Sequence, residues 1–138
     1  IGIDLSPSML LKASQKLIYS SLIEDDLING LRSITQKQDL FISADVFIYI
    51  GDLEELFIEI TKKCHQNSFF IFSIESLESE ERIDFLLKET GRYGHSNQYI
   101  DSLSSKYNFS IISKSSVGIR KHKSKWVPGY IYILRYKS

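Results

Sequence analysis

The first ten residues constrain the fold more than any other stretch of this chain. An apolar run over residues 1–4 predicts a buried strand that ends in the carboxylate of Asp4. Ser6 is a favoured helix N-cap, and Pro7 suits the first helical position because its missing N–H would be unpaired there. An apolar stripe at helical spacing follows at Leu10, Ala13 and Leu17. The stretch therefore predicts a strand, an acidic strand end and a capped helix.

Asp4 is the first candidate binding residue in the chain. Ligands of open α/β sheets bind at the carboxyl ends of the strands. A carboxylate at that point can accept two hydrogen bonds from a ribose diol. The alternative is that Asp4 only stabilises the start of the following helix through the helix dipole. These ten residues leave both interpretations open.

Composition limits the classes of partner and compartment. The 138 residues, 43% of them hydrophobic, predict one domain over residues 1–138. A formal net charge of zero gives no strong field to attract nucleic acid or an anionic membrane, and no apolar run is long enough to cross a bilayer. The single cysteine, Cys64, cannot form an intrachain disulfide, so we expect a reducing, cytoplasmic location. Because Ile1 lies inside a predicted strand, we expect a partial domain that lacks an upstream segment.

Strands and helices are predicted to alternate through the first half of the chain. Apolar runs predict three further strands, at residues 21–24, 39–45 and 69–74. The middle one is expected to be covered on both faces, as in a parallel sheet. Helical spacing predicts helices over residues 27–34 and 53–64, the second with Cys64 on its packed face. Residues 46–51 lack a clear period and are expected to form a loop over a pocket. This order predicts βαβ units and a parallel sheet.

The last third of the chain breaks this pattern. Residues 86–95 are mostly polar and are expected to be irregular, and Ser96 is predicted to cap a helix. Two strands, at residues 109–113 and 130–136, are joined without a helix and must form an antiparallel hairpin. The basic run at residues 120–126 between them could contact phosphate or stack a base. A solvated hairpin tip is the preferred interpretation, because the chain as a whole is neutral.

Four segments together resemble motifs of the class I S-adenosylmethionine-dependent methyltransferases. They are residues 3–10, 24–27, 43–49 and 91–96, the last with Tyr99. The likeness covers nearly the whole chain and is strongest to bacterial methyltransferases fused to tetratricopeptide repeats. It implies S-adenosylmethionine as cofactor and a Rossmann-like α/β fold. The implied sheet is mostly parallel and ends in an antiparallel hairpin.

The resemblance also implies candidate cofactor-binding residues. Asp4 would hold the ribose hydroxyls, and Asp26 would accept a hydrogen bond from the adenine amine, a place that Asp25 could also fill. Leu5 and Met9 would pack near the adenine, and the backbone at Leu27 would close the pocket. Ala44 would contribute a backbone carbonyl near the methionine end of the cofactor.

One departure from the family is large. The glycine-rich loop that follows the family's first strand is absent, so the resemblance implies a sheet that lacks the first βα unit. In the family that strand lies between the strands at residues 1–4 and 40–44. Without it, either a slot opens in the sheet or these two strands pair directly. Unpaired strands of this kind favour association with other chains.

Methyl transfer from a sulfonium is an in-line displacement that needs alignment more than acid–base groups. Tyr93 and His95 are the candidate catalytic residues, able to orient or deprotonate a methyl acceptor. The alternative, which we prefer, is that both only shape a loop. The other histidines, His65 at a helix end and His122 in the basic loop, are expected at the surface, and no cluster of residues has metal-ligand spacing.

Three functions compete at this point. The first is methyl transfer to a small-molecule or protein acceptor that the sequence does not identify. The second is a nicotinamide-dependent oxidoreductase of the Rossmann type, which also places an acid after its second strand. The third is a non-catalytic binding module with a methyltransferase-like fold. The capped helix at Ser6, Asp26 and the terminal hairpin favour the first.

Overall fold

The computed structural model of the chain describes residues 1–77 and 82–137. The strands in this part of the chain are β1 (Gly2–Asp4), β2 (Leu22–Glu24), β3 (Gln38–Ser43), β4 (Cys64–Glu75), β5 (Phe85–Leu87), β6 (Tyr93–His95), β7 (Phe109–His122) and β8 (Lys125–Tyr136). The helices are α1 (Pro7–Ser14), α2 (Leu27–Ser33), α3 (Glu54–Lys62) and α4 (Asn97–Lys106), with a short 3-10 helix at Phe47–Tyr49. None of the helices in the described residues is long and apolar enough to cross a membrane.

The strands form a mixed α/β arrangement in which the parallel part comes first. β1 and β2 pair in parallel, and β3 pairs in parallel with β4. β8 then pairs antiparallel with both β4 and β7, which gives the order β3-β4-β8-β7. The predicted α/β class, with a parallel part and a C-terminal antiparallel hairpin, is confirmed.

β1 and β3 do not pair with each other in the described part of the chain. Of the two outcomes expected for these strands, direct pairing is therefore not observed. α2 connects the β1–β2 pair to the rest of the molecule. A Cβ atom on Gly30 of α2 would lie 2.5 Å from Cγ2 of Ile3, so only glycine allows this close approach of helix and strand.

The core lies on one face of the four-stranded sheet, beneath α3 and α4. Phe57 of α3 is fully buried there and contacts the rings of Phe70 and Phe72 of β4. The remaining buried apolar side chains of this cluster come mostly from α3, α4 and the sheet, among them Leu53, Leu56, Ile60, Ile100, Leu103, Tyr132 and Leu134. Several aromatic pairs meet edge to face, an arrangement that adds stability beyond the buried area.

The opposite face of the sheet is open, which corrects the prediction for β3. Leu40 is 50% exposed and Ile42 is 68% exposed, whereas Phe41 between them packs on the core. On the same open face of β4, Phe69 is 38% exposed. An apolar run of this length fits a strand with one covered face as well as one with two, so the pattern could not distinguish them.

The first helix is shorter than its apolar stripe predicts. Ser6 caps it and Pro7 is its first residue, as predicted, but the helix ends at Ser14. Leu17 lies outside it with a φ of +55° and is 90% exposed. Leu10 and Ala13 of the stripe are only partly buried, and no residue of α1 is fully buried, so packing stabilises the helix weakly and not as far as Leu17.

Two other predicted elements near the middle of the chain are wrong. Cys64 does not end α3 but begins β4, where it is 1% exposed and where burial raises the pKa of its thiol to about 11. His65 follows it in β4 and not at a helix end, so its predicted position is wrong. Its side chain is exposed, as expected. Residues 46–51, predicted as a loop over a pocket, contain the 3-10 helix, and both Phe47 and Ile48 are buried in it.

The two hairpins are more regular than the sequence suggests. The basic run at residues 120–126 is not a loop, because β7 and β8 extend through it to a turn at Lys123 and Ser124, whose φ values are +46° and +65°. Two consecutive positive φ values give the turn type that matches the twist of a hairpin. Residues 86–95, predicted as irregular, contain the antiparallel pair β5–β6. Ser96 caps α4 as predicted.

Candidate functional site

Asp4 lies at the carboxyl end of β1, directly beside Glu24 at the end of β2. Its Oδ1 accepts a hydrogen bond from the backbone N–H of Ser6 at 2.8 Å, which fixes the carboxylate against the turn that leads into α1. No donor among the described residues lies on the second oxygen. The strand end thus presents one carboxylate oxygen that can accept from a ligand.

Apolar side chains stand exposed next to this carboxylate. Leu5 is 71% exposed and Met9, on the first turn of α1, is 50% exposed. Leu27, the first residue of α2, is partly buried and packs on the core. Two exposed apolar residues flanking a carboxylate can cover one face of a flat aromatic base.

The two carboxylates after β2 accept different numbers of hydrogen bonds. Asp26 is the N-cap of α2, and its two oxygens accept from the backbone N–H and the side-chain Nδ2 of Asn29, at 2.9 and 2.6 Å. Asp25 accepts a single bond, at 2.9 Å, from the backbone N–H of Asp26. The second carboxylate oxygen of Asp25 accepts from no described group and can therefore accept from a ligand.

The end of β3, in the four-stranded sheet, holds the remaining candidate cofactor residue. Ala44 is exposed there, and Asp45 after it adopts a φ of +58° and donates its N–H to Oγ of Ser73 at 2.9 Å. Oγ of Ser43 is buried and has no hydrogen-bond partner among the described residues. This short segment exposes backbone and leaves one polar atom unsatisfied.

The two candidate catalytic residues lie on β6, which packs on Gly51. His95 is 1% exposed, and its Nε2 donates to the carbonyl oxygen of Gly51 at 2.9 Å. Its Nδ1 is buried without a partner in the described structure. Tyr93 is half-buried, and a Cβ atom on Gly51 would lie 2.8 Å from its ring. Both side chains thus hold β6 against Gly51.

Tyr99 of α4 supports the same region. Its hydroxyl accepts from the backbone N–H of Leu53 at 2.8 Å and donates to Oδ1 of Asp52 at 2.8 Å. Burial is the main cause that raises the pKa of this hydroxyl. The first turn of α3 is therefore fixed from α4, over 46 residues of sequence.

A buried ion-pair cluster at the end of β4 is absent from the sequence-based predictions. Glu75 is 2% exposed, and its two oxygens accept from Nζ of Lys88 at 3.0 Å and Nη2 of Arg120 at 2.7 Å. Lys88 also donates to the carbonyl oxygen of Ser76 at 2.6 Å. The sequence shows Glu75 only as an acid after a predicted strand. Its partners could not be inferred because they lie 13 and 45 residues away along the chain.

His95 is expected to make stability depend on pH. Burial lowers the pKa of its imidazole in the folded chain below the ordinary 6.5. The unfolded chain then binds the proton more readily, so the free energy of unfolding falls as pH drops through about 6.5, by up to about 1.4 kcal/mol per pH unit. Urea unfolding of the chain at pH values on both sides of about 6.5 measures this slope.

The matched variants are His95→Gln and His65→Gln. The first keeps a donor for Gly51 and removes the buried titrating ring, so it should reduce the slope. The second removes an exposed ring and should leave the slope unchanged. Equal slopes in all three proteins would show that His95 does not titrate as its burial demands.

Comparison with known proteins places this arrangement among methyltransferase structures. No family model matches the sequence, and no curated protein matches it at the sequence level. Three similar solved structures each cover 99% of this chain. They are an S-adenosylmethionine-dependent methyltransferase from Clostridium acetobutylicum (18% identity, TM-score 0.70), the N-methyltransferase NodS from Bradyrhizobium japonicum with S-adenosyl-L-homocysteine (16%, 0.71), and magnesium protoporphyrin IX methyltransferase from Synechocystis with bound S-adenosylmethionine (18%, 0.68).

These similarities show the fold of the chain. It is the α/β fold of the S-adenosylmethionine-dependent methyltransferases, as the motifs at residues 3–10 and 24–27 implied. The chain spans 74%, 65% and 58% of the lengths of the three proteins, respectively. Fold does not fix the reaction, so the activity depends on the residues at the strand ends.

Proposed function

We propose that this chain is the S-adenosylmethionine-binding part of a methyltransferase whose acceptor is a small molecule or a protein side chain. The observation that carries the proposal is the pair of carboxylates, Asp4 and Asp25, that follow two adjacent parallel strands of this fold. Each accepts one backbone hydrogen bond and keeps an oxygen for a ligand. We also propose that the chain is related to bacterial methyltransferases fused to tetratricopeptide repeats and that it is cytoplasmic.

The adenosine half of the cofactor fits the residues at the ends of β1 and β2. Asp4 accepts from the ribose hydroxyls, and Leu5 and Met9 cover the adenine. Asp25 accepts from the exocyclic amine of adenine, since the oxygens of Asp26 already accept from Asn29. The backbone at Leu27 closes this side of the pocket.

The methionine half is held less completely by the described residues. The backbone carbonyl of Ala44 lies at the exposed end of β3, next to the unpartnered Oγ of Ser43. When bound, the sulfonium supplies an electrophilic methyl group. The protein's part is to align that group with the acceptor and to exclude water, which depends on position more than on a base.

Tyr93 and His95 belong to the acceptor side in this proposal. They lie on β6, where both contact Gly51. Because His95 is buried, we assign both residues to shaping the acceptor loop.

Asp4→Ala is expected to weaken cofactor binding by about tenfold or more. The variant removes one or two hydrogen bonds to a charged group, each of which contributes about 1.5–3 kcal/mol. Calorimetric titration with S-adenosyl-L-homocysteine, which needs no acceptor, measures the change. The matched control is Asp39→Ala, an exposed carboxylate of β3 at the opposite end of the strand. Unchanged affinity in Asp4→Ala would assign that residue to the helix start alone.

The same titration with an inosine analogue of the cofactor tests the assignment of Asp25. The oxygen of inosine cannot donate to a carboxylate, so the wild-type chain should bind the inosine analogue more weakly than the adenosine cofactor. For Asp25→Asn, the inosine analogue should bind no more weakly than the adenosine cofactor. Equal binding of the two analogues by the wild-type chain would contradict it. Tighter binding of NAD than of S-adenosyl-L-homocysteine would favour the oxidoreductase, and binding of neither would favour a non-catalytic module.

The open strand edges also enter the proposal. β1 and β3 each have one edge without a hydrogen-bonded partner among the described strands, and Ile42 beside one edge is exposed. Unpaired edges next to apolar side chains favour pairing with another chain. We therefore propose that residues 1–138 alone bind the cofactor weakly and associate, which sedimentation alongside the titration measures.

A further inference from the structure

β7 and β8 extend beyond the sheet as a two-stranded arm, which we define as residues 118–128. β8 pairs with β4 only as far as Gly129, opposite Glu75. Beyond that point the carbonyl oxygen of Pro128 still accepts from the N–H of Ser76 at 3.0 Å, and the remaining ladder of the arm joins β8 to β7 up to the turn at Lys123 and Ser124. The arm therefore leaves the sheet at the carboxyl end of β4, the edge that also carries Ser73 and its partner Asp45.

Basic charge is concentrated in and around this arm. Residues 102–138 contain eight lysine and arginine residues and no aspartate or glutamate, although the whole chain has 17 of each sign. The formal net charge of zero thus hides a separation of charge along the chain, of which Lys106, Lys114 and Arg120 are neutralised by Glu54, Asp101 and Glu75. A local field of this kind attracts polyanions regardless of the total charge.

Three lysines of the arm carry this charge outward. Lys121, Lys123 and Lys125 are all exposed, and none forms an ion pair with a described residue. Arg120 differs, because it pairs with the buried Glu75 at 2.7 Å. The arginine therefore fixes the base of the arm to the sheet and leaves the lysines for a partner.

An exposed aromatic ring lies among these lysines. Trp126 is 62% exposed and lies directly across the strand pair from Lys121. Nζ of Lys121 is 5.2 Å from the ring centroid, a cation–π contact. A Cβ atom on Gly118 would lie 3.0 Å from three atoms of Trp126, so glycine lets the indole settle on the ribbon.

We propose that the arm binds single-stranded nucleic acid, with phosphates on the three lysines and a base stacked on Trp126. A basic strip that follows the backbone and an aromatic ring that stacks a base are the two elements of such sites. A membrane surface fits less well, because membrane-bound segments need a broad apolar face. In the arm Ile119 and Val127 are partly buried, and Trp126 is the only large exposed apolar side chain.

The proposal does not rest on methyl transfer. The arm would bind nucleic acid whether or not the chain binds a cofactor, so the two proposals can fail separately. The arm leaves the four-stranded sheet at the edge where β3 ends at Ser43.

The test uses labelled oligouridine and oligothymidine of about 12 nucleotides, a length within the usual range of such sites. Fluorescence anisotropy at increasing salt gives the affinity and its salt slope. Trp126 is the only tryptophan of the chain, so its fluorescence reports on the arm directly. We expect binding of at least one oligonucleotide with quenching of Trp126, and comparison of the two separates RNA from DNA preference.

Matched variants separate the arm from general charge. Replacing Lys121, Lys123 and Lys125 together with serine should reduce the magnitude of the salt slope by about 2, since each neutralised phosphate of a single strand contributes about 0.7. The control replaces three exposed lysines elsewhere, Lys12, Lys16 and Lys37, with serine and should keep the slope. Trp126→Ala should weaken binding by about tenfold and Trp126→Phe by less.

Several results would overturn the proposal. Equal loss of binding in the two triple variants would mean non-specific attraction, and unchanged binding in the arm variant would place the contact elsewhere. Quenching of Trp126 by inorganic polyphosphate to the same extent as by oligonucleotide would exclude base stacking. A blue shift of Trp126 with vesicles of anionic phospholipid, and no response to either oligonucleotide, would assign the arm to a membrane surface.

Discussion

Glu75→Gln is expected to lower the free energy of unfolding by about 3–5 kcal/mol, because it breaks a buried ion pair and leaves its cations without a counter-charge. Glu75 holds Lys88 and Arg120, whose side chains are only 26% and 14% exposed. Glutamine keeps the shape and can accept from one of them, but it cannot neutralise either. Urea unfolding at neutral pH measures the loss.

The matched control is Glu55→Gln. Glu55 also accepts from an arginine, Arg32, at 2.6 Å, but the two side chains are 61% and 49% exposed. Solvent screens such a pair, so its loss should change stability far less. A loss as large in Glu55→Gln as in Glu75→Gln would mean that burial does not decide the value of these pairs.

The same substitution connects stability to the arm. Two described contacts tie the arm to the end of β4: Arg120 Nη2 donates to Glu75, and the carbonyl oxygen of Pro128 accepts from the N–H of Ser76 at 3.0 Å. Nε of Arg120 is buried without a partner among the described residues. When Glu75 loses its charge, the arm should become more mobile. The anisotropy of the Trp126 fluorescence should therefore decrease in Glu75→Gln and stay constant in Glu55→Gln.

Local signals at the starts of helices could be predicted from the sequence. Oγ of Ser6 accepts from the N–H of Met9, and Ser96 caps α4 in the same way from Tyr99. These contacts span three residues, so their residue types are sufficient to predict them. The alternation of strands and helices was predictable for a similar reason, since each apolar run or stripe is itself local.

Contacts across the sheet were not predictable in the same way. The basic run at residues 120–126 has like charges and a following Pro128, which favour a loop, yet Lys121 and Trp126 lie opposite each other in paired strands. Pairing to β4 through Gly129 aligns β8 and extends β7 beside it. Local composition contains no information about that neighbour.

The candidate site also combines local features that the sequence predicts with long-range contacts that it does not. Asp4 and Asp25 could be placed at strand ends from the sequence, whereas their different hydrogen bonds could not. Asp26 shows the reason, because one residue type suits both a helix N-cap and a ligand contact. The burial of His95 and the cluster around Glu75 depend on chain segments 44 and 45 residues away.

Phe57→Ala is expected to lower the free energy of unfolding by about 3–5 kcal/mol, the usual cost of deleting a buried aromatic ring. Phe57 is fully buried, and its ring centroid lies 5.6 Å from that of Phe70 and 5.9 Å from that of Phe109. The cavity would open between α3 and the sheet, where neither side can move inward without breaking other contacts. The midpoint of urea unfolding measures the change.

Phe69→Ala is the control on the opposite face of the same sheet. Phe69 of β4 precedes Phe70 but is 38% exposed, so its deletion should cost much less. Equal losses would mean that the open face is covered in solution. Because α3 begins where Tyr99 holds Leu53 and Asp52, Phe57→Ala should also loosen residues 51–53 beneath His95. Amide hydrogen exchange of those residues should therefore accelerate in Phe57→Ala and stay unchanged in Phe69→Ala.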